Sequence, residues 1–263
     1  MRLLFSEVKS DYSHYLFPYA VWALPEKNES PGLMFQRGFL PSSRQLDRFY
    51  LCRHVRVNLK NFSPSSENRR ILRKGEAIEV RLLPRQDFDF SPDWQDFCLR
   101  YSEAKFGAAV MSRERLLQLF SSPIVSHLLL YRDRDRDLDV GLATLYCEAP
   151  AMAFYYYAFY DLDYFRRNLG MVMMTRAVSR MQQHGLEYIY LGSCYSRNAL
   201  YKTQFSGAEF FNGFCWSGDL RQLKALIERD QGPVTCHLLE NGEFMDDFYP
   251  GGVSQLGELT QFR

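Results

Sequence analysis

Tyr190, Tyr195, Tyr201 and Lys202 bring three phenolic hydroxyls and one amine into the short stretch Tyr188-Ile-Tyr-Leu-Gly-Ser-Cys-Tyr-Ser-Arg-Asn-Ala-Leu-Tyr-Lys-Thr-Gln-Phe205. A phenol both donates and accepts hydrogen bonds, and a lysine ammonium is a compact charge whose pKa responds to burial. These side chains can position an acyl donor and relay a proton, so they are the candidate catalytic residues. Gly192 breaks the run where backbone can approach a ligand that a Cβ would obstruct, and Arg197 adds a fixed cation. Both are candidate substrate-binding residues. Aromatic packing beside a surface lysine is the competing reading.

The elements that would carry this stretch can be read from the pattern around it. Tyr188 to Leu191 is a short β-branched and aromatic run, and a polar segment after a strand's C-terminal end is where open α/β sheets tend to hold ligands. Upstream, Val125 to Arg132, Val140 to Glu148 and Met152 to Tyr160 read as three consecutive strands of an antiparallel meander. A long helix follows from about Tyr164 to His184, ended by Gly185, and Leu186 to Leu191 is the next strand. Asn198 to Gln204 reads as a short helix, Glu209 to Trp216 as a strand, and Leu220 to Arg229 as a helix capped by Asp219. Earlier, Pro92 to Phe106 and Ser112 to Phe120 have helical spacing. The first third is turn-rich at Lys27 to Gly32 and Phe62 to Glu67 and strand-like in Arg44 to Asn58.

The expected class is α+β: a smaller N-terminal α+β module over residues 1–90, then a transferase domain over 91–263. Meander, long helix, strand, helix, strand is the order of a GNAT-like acyltransferase core. In such cores the start of the long helix faces donor phosphates. Asp161 and Asp163 end the strand before that helix, where they can bind an incoming ammonium group or cap the helix. Arg166 and Arg167 stand at its start, and Arg167-Asn-Leu-Gly170 partly resembles the pyrophosphate loop of coenzyme A users.

The formal charge of +1 argues against wholesale coating of nucleic acid, but the charge is unevenly spread. Arg53, Arg56, Lys60, Arg69, Arg70, Arg73 and Lys74 face only Glu67 in their stretch, an excess able to neutralise phosphates. A solvated charged face is the alternative. Arg132 to Asp139 alternates in sign and reads as a hairpin tip with no function implied.

Several of these blocks together resemble the aminoacyl-tRNA–protein transferases, the arginyl and leucyl transferases of the N-degron pathway. Phe159-Tyr-Asp-Leu-Asp163, Leu169-Gly170 and Tyr188 to Lys202, with its Tyr201-Lys202 pair, are similar to that family's C-terminal domain. Cys52-Arg-His-Val-Arg56 followed by Phe62 to Arg70 is similar to its upstream cysteine and arginine segment. The resemblance implies transfer of an amino acid from aminoacyl-tRNA to the α-amine of a protein or peptide N-terminus. Arg56, Arg69, Arg70, Arg73, Lys74, Arg166 and Arg167 are then the expected tRNA contacts. A coenzyme A-dependent N-acyltransferase and a non-catalytic module that recognises N-termini or RNA remain open.

The chain departs from the family in its early region, where Asp11 to Pro18 carries no cysteine and only Cys52 stands in the later group. An iron–sulfur or zinc site needs about four compact ligands, and no paired spacing supplies them, so neither metal nor cofactor is expected. The six cysteines are scattered, and no apolar run approaches the roughly 20 residues of a membrane span. The expected setting is reducing and cytoplasmic, without membrane attachment. Oligomeric state is open.

Overall fold

The computed structural model describes residues 1–107, 109–164 and 168–262. In chain order the elements are β1 (Arg2–Glu7), β2 (Tyr19–Leu24), α1 (Pro31–Gln36), β3 (Phe39–Pro41), β4 (Phe49–Leu51), β5 (His54–Asn58), α2 (Ser66–Lys74) and β6 (Ile78–Pro84). Next come α3 (Pro92–Phe106), α4 (Arg113–Phe120), β7 (His127–Asp133), β8 (Leu138–Glu148), β9 (Met152–Tyr160), α5 (Leu169–Gln183) and β10 (Tyr188–Ser193). β11 (Ala208–Phe211), β12 (Trp216–Ser217), α6 (Leu220–Arg229), α7 (Gly242–Phe248) and α8 (Gly252–Leu259) complete the chain. It is an α+β protein.

Contacts group the residues into two compact units that interleave along the sequence. One comprises Met1–Arg56, Ser193–Gln204 and Ala208–Arg263, the other Val57–Gly192 and Phe205–Gly207. The expected division after residue 90 is therefore not a boundary of these units.

In the second unit β6, β7, β8 and β9 form an antiparallel meander, and β10 pairs parallel to β9 with Ile189 opposite Ala153. A parallel neighbour requires a crossover, and α5 supplies it. Leu169, Val172, Met173, Ala177, Val178 and Met181 recur at helical spacing on its buried side. Each of these side chains except that of Ala177, fully buried, contributes roughly 1.5–3 kcal/mol. The helix lies close: a Cβ at Gly141 would come within 2.8 Å of Met173 Sδ. Tyr131 on β7 donates its hydroxyl hydrogen to the Met173 carbonyl at 3.0 Å, fixing meander to helix.

α5 begins at Leu169, later than its apolar spacing predicts. A 3-10 turn opens at Leu162, and Asn168 adopts φ 57°, a left-handed conformation that asparagine tolerates and that interrupts the α-helical hydrogen-bond run. α2 is a second departure, because Ser65 and Asn68 form a reciprocal capping box that turns the expected loop into a helix start.

In the first unit β1, β2, β4 and β3 form an antiparallel sheet in that order, and β12, β11 and β5 lie side by side. The expected strand over Glu209 to Trp216 is instead the hairpin β11–β12. Asn212 Oδ1 accepts the N–H groups of Phe214 and Cys215, and Gly213 takes φ 111°, a turn chemistry carried by the Asn-Gly pair. α6 starts where expected, with the Asp219 carboxylate accepting the Arg221 N–H at 2.9 Å.

Candidate active site

The segment that leaves β10 is held by a small set of contacts inside the first unit. Gly192, next to last in the strand, takes φ 87°, a conformation that favours glycine. After it the Lys202 ammonium donates to the Ser193 carbonyl at 2.8 Å, and the Cys194 N–H donates to the Arg53 carbonyl at 2.9 Å. Arg53 returns the contact: its backbone N–H donates to the Tyr195 hydroxyl at 2.7 Å, and its guanidinium lies 4.9 Å from the centre of the Tyr195 ring. The same guanidinium pairs with Asp230 at 2.8 Å. Arg53 belongs in the sequence to the basic stretch and to the Cys52-Arg-His-Val-Arg56 block, and neither pattern encodes its contacts with Tyr195 and Asp230.

Within this cluster Lys202 is half-buried, and loss of solvation pushes its ammonium pKa below the usual lysine value, opposed by Cys194 nearby. Tyr201 is 45% exposed with its ring 5.9 Å from the Lys202 nitrogen, and Tyr195 is 51% exposed. Three of the four candidate catalytic residues thus share one segment, two with rings open to solvent. Arg197 lies on the same segment, on the 3-10 turn Arg197–Thr203, where it forms an exposed ion pair with Glu228.

His54 is fully buried beside the cluster. Its ring stands edge-on to Trp216, 4.9 Å between centres, and Nδ1 donates to the Cys52 carbonyl at 2.9 Å once the ring is neutral. Burial pushes its pKa down to about 3, helped by the charges of Arg56 and Lys202, so the ring is neutral at physiological pH. Burial raises the Cys52 thiol to about 12. Neither is a ready nucleophile or base.

Two expectations are corrected by burial. Tyr190 lies in the second unit at 1% exposure, because Ile189, Tyr190 and Leu191 are all covered, so its ring is closed off from solvent. Arg56 was expected on a nucleic-acid surface. Its side chain points into the first unit, pairing with Glu209 at 2.7 Å and lying 3.8 Å from the centre of the Trp216 ring.

The remaining candidates belong to the second unit. Asp161 and Asp163 line a cleft of about 340 Å³ with Arg100, Tyr101 and Tyr160. Asp161 Oδ1 accepts the Asp163 N–H at 3.0 Å, so Asp161 caps the turn, while Asp163 is exposed. Arg69, Arg70, Arg73 and Lys74 are all exposed on α2. Arg70 pairs with Glu67 at 2.5 Å, and Arg69 donates to the Pro64 carbonyl. Arg166 and Arg167 lie outside the described residues. Among the described residues no group of three or more His, Cys, Asp or Glu is placed to hold a metal ion, and no helix is long and apolar enough to cross a membrane.

Residues 96–212 match the family model described as arginine-tRNA-protein transferase, C terminus. The aspartate/glutamate leucyltransferase of Methylorubrum extorquens (strain PA1) is 29% identical over 174 residues, which cover 60% of this chain and 68% of that protein. That of Vibrio campbellii (strain ATCC BAA-1116) is 28% identical over 176 residues, covering 64% and 71%. Among solved structures, L-PGS from Bacillus licheniformis aligns with a TM-score of 0.43 at 10% identity, over 54% of this chain and 46% of that one. A GCN5-related N-acetyltransferase from Sphaerobacter thermophilus aligns with a TM-score of 0.34 at 16% identity, over 61% and 45%. The chain thus spans about half the length of these two solved structures. The family match runs from within α3 through β11 and includes the whole segment from Gly192 to Lys202, so residues 96–212 of this chain are similar to the C-terminal part of the arginine-tRNA-protein transferases.

Proposed function

We propose that this chain moves an amino acid from an aminoacyl-tRNA to the α-amine of a protein or peptide N-terminus. The observation that carries the reading is the family match over residues 96–212, within which lies the clamped segment bearing Tyr195, Tyr201 and Lys202.

In the reaction the amine nitrogen bonds to the ester carbonyl carbon, the carbon–oxygen bond to the ribose breaks, and the amine's proton ends on the released ribose hydroxyl. An α-amine has a pKa near 7.7–8.0, so roughly a tenth is unprotonated at pH 7. It needs little activation. Catalysis by orientation and by donors aimed at the developing oxyanion suffices, each donor worth about 3 kcal/mol in comparable sites. Lys202 and Tyr201 are assigned to the donor, with Tyr195 positioning or relaying the proton. Gly192 and Arg197 shape the substrate contact, and Asp163, with Asp161 behind it, is assigned to the incoming ammonium. The exposed α2 residues, together with Arg166 and Arg167, are assigned to tRNA phosphates. No cofactor enters the reaction. In this reading the enzyme works in the cytoplasm, on the N-degron pathway, without a membrane.

The names of the relatives suggest leucine as donor and N-terminal aspartate or glutamate as acceptor for the first trial. Purified protein incubated with labelled leucyl- or arginyl-tRNA and peptides beginning with Asp, Glu, Arg or Ala tests this, with acetyl-coenzyme A run in parallel. Incorporation from one aminoacyl-tRNA is expected. Acetylation alone would favour the coenzyme A reading, and binding without transfer a non-catalytic module.

A further inference from the structure

The second unit holds a larger cleft, about 920 Å³, lined by α5, β6, β7, the start of β8 and residues of the α2 region. Arg81, Arg132, Arg134, Arg176 and Arg180 line it, against the carboxylates of Glu76, Glu79 and Asp139. Its charge is therefore positive, and the basic side chains come from separate elements rather than one surface run.

Their bonding shows which of them are occupied. Arg132 is held by Asp137 at 2.5 Å and Asp139 at 3.2 Å, and Arg134 lies 3.6 Å from Glu79. Arg176 donates one terminal nitrogen to the Gly75 carbonyl at 2.7 Å. Neither Arg81 nor Arg180 takes part in an ion pair among the described residues. Among the described residues, buried Nε of Arg176, Nε of Arg180 and Oγ of Ser179 have no hydrogen-bond partner. Positions 176, 179, 180 and 183 fall on one face of α5, and all four line the cleft. Buried donors are nearly always satisfied, so three left open on one helix face point to an acceptor-rich ligand. From the opposite wall, Glu79 and Arg81 project on the same side of β6, as residues two apart do.

We propose that this cleft binds phosphate groups of an RNA backbone, with Arg180 and Arg81 as principal contacts and Arg176 and Ser179 completing the donor set. The proposal rests on the aminoacyl-tRNA reading and extends it to a surface apart from the segment that carries Lys202. Phosphate oxygens accept from several donors at once, and guanidinium groups match them in a forked geometry. A polyanion is favoured over a small anion because exposed Arg69, Arg73 and Lys74 continue the positive surface along α2, whose Leu72 lines the cleft. Arg132 to Asp139, an alternating tip with no role expected from sequence, contributes one wall.

The test measures affinity for uncharged tRNA against salt concentration, beside amino-acid transfer, in three proteins: wild type, the double variant Arg81→Gln with Arg180→Gln, and Glu79→Gln. Loss of two phosphate contacts should weaken binding tenfold or more and reduce the salt slope by roughly 1.4–1.8. Glu79→Gln should tighten binding several-fold, an effect that damage to the fold does not produce. Unchanged affinity and slope in both variants, with tRNA still bound by the wild type, would overturn the cleft assignment and leave the transferase reading intact. Variant-sensitive tRNA binding without any transfer supports the cleft while the transferase reading fails. Failure of the wild type to bind tRNA, or equal competition by inorganic pyrophosphate at matched phosphate concentration, overturns it.

Discussion

The Lys202 ammonium and the Ser193 carbonyl, 2.8 Å apart, pin the segment that follows Gly192 back onto itself. The amine assigned to the donor is thus half-buried and already oriented, which limits what it must reorganise during the reaction.

Replacing Lys202 with alanine, or Tyr201 with phenylalanine, should lower kcat/KM for transfer to a peptide α-amine by roughly tenfold or more, about 1.4 kcal/mol. Circular dichroism and a urea titration must first show folded variants. Transfer at the wild-type rate by folded variants would remove both residues from the reaction.

Charge reversal at Arg69, Arg70, Arg73 and Lys74 on α2 should weaken tRNA binding and flatten its salt dependence, because fewer counterions are released. Arg70 contributes least, its guanidinium being paired with Glu67. Affinity measured across a salt series decides it, and an unchanged slope makes α2 a solvated face.

Arg56→Met should destabilise the protein by about 3 kcal/mol, since it strands the Glu209 carboxylate and removes the cation from the Trp216 face. Binding of tRNA per folded molecule should not change. The two measurements, a urea midpoint and a tRNA affinity, separate packing from recognition.

His54 should make stability fall on acidification. Its folded pKa is about 3 against an ordinary 6.5, so from about pH 6.5 downward the unfolded chain takes up a proton that the folded chain refuses. The slope reaches about 1.4 kcal/mol per pH unit, or about 2 kcal/mol between pH 7.5 and 5.0. His54→Asn should show a smaller loss over that window. Equal losses in both proteins would mean that the ring is solvated.

What was legible in the sequence followed the strength of the local pattern. β9 and α3 fall on their expected ranges because apolar runs and a Ser-Pro start specify them locally. The candidate segment was legible because its polar residues interrupt a strand at a glycine. Tyr190 and Arg56 were misplaced for one physical reason: residue type says what a side chain can do, while burial depends on which strand covers it. Arg53 and His54 acquire their partners from residues far away in sequence, Tyr195, Asp230 and Trp216, which no local spacing encodes. The arginine cleft was illegible because its walls come from α5, β6 and β7, which topology alone brings together.

The interleaving of the two units sets an order of events during synthesis. Every residue of the second unit has been made by Gly207, whereas Arg53 and Arg56 of the first wait for Asp230, Glu209 and Trp216. The nascent N-terminal segment therefore emerges long before its partners exist, with Arg53 separated from Asp230 by 177 positions. A ribosome stalled between residues 207 and 230 would carry every residue of the meander while the first unit is still incomplete. The clamp on Tyr195 and Arg53 is finished only when translation has passed α6.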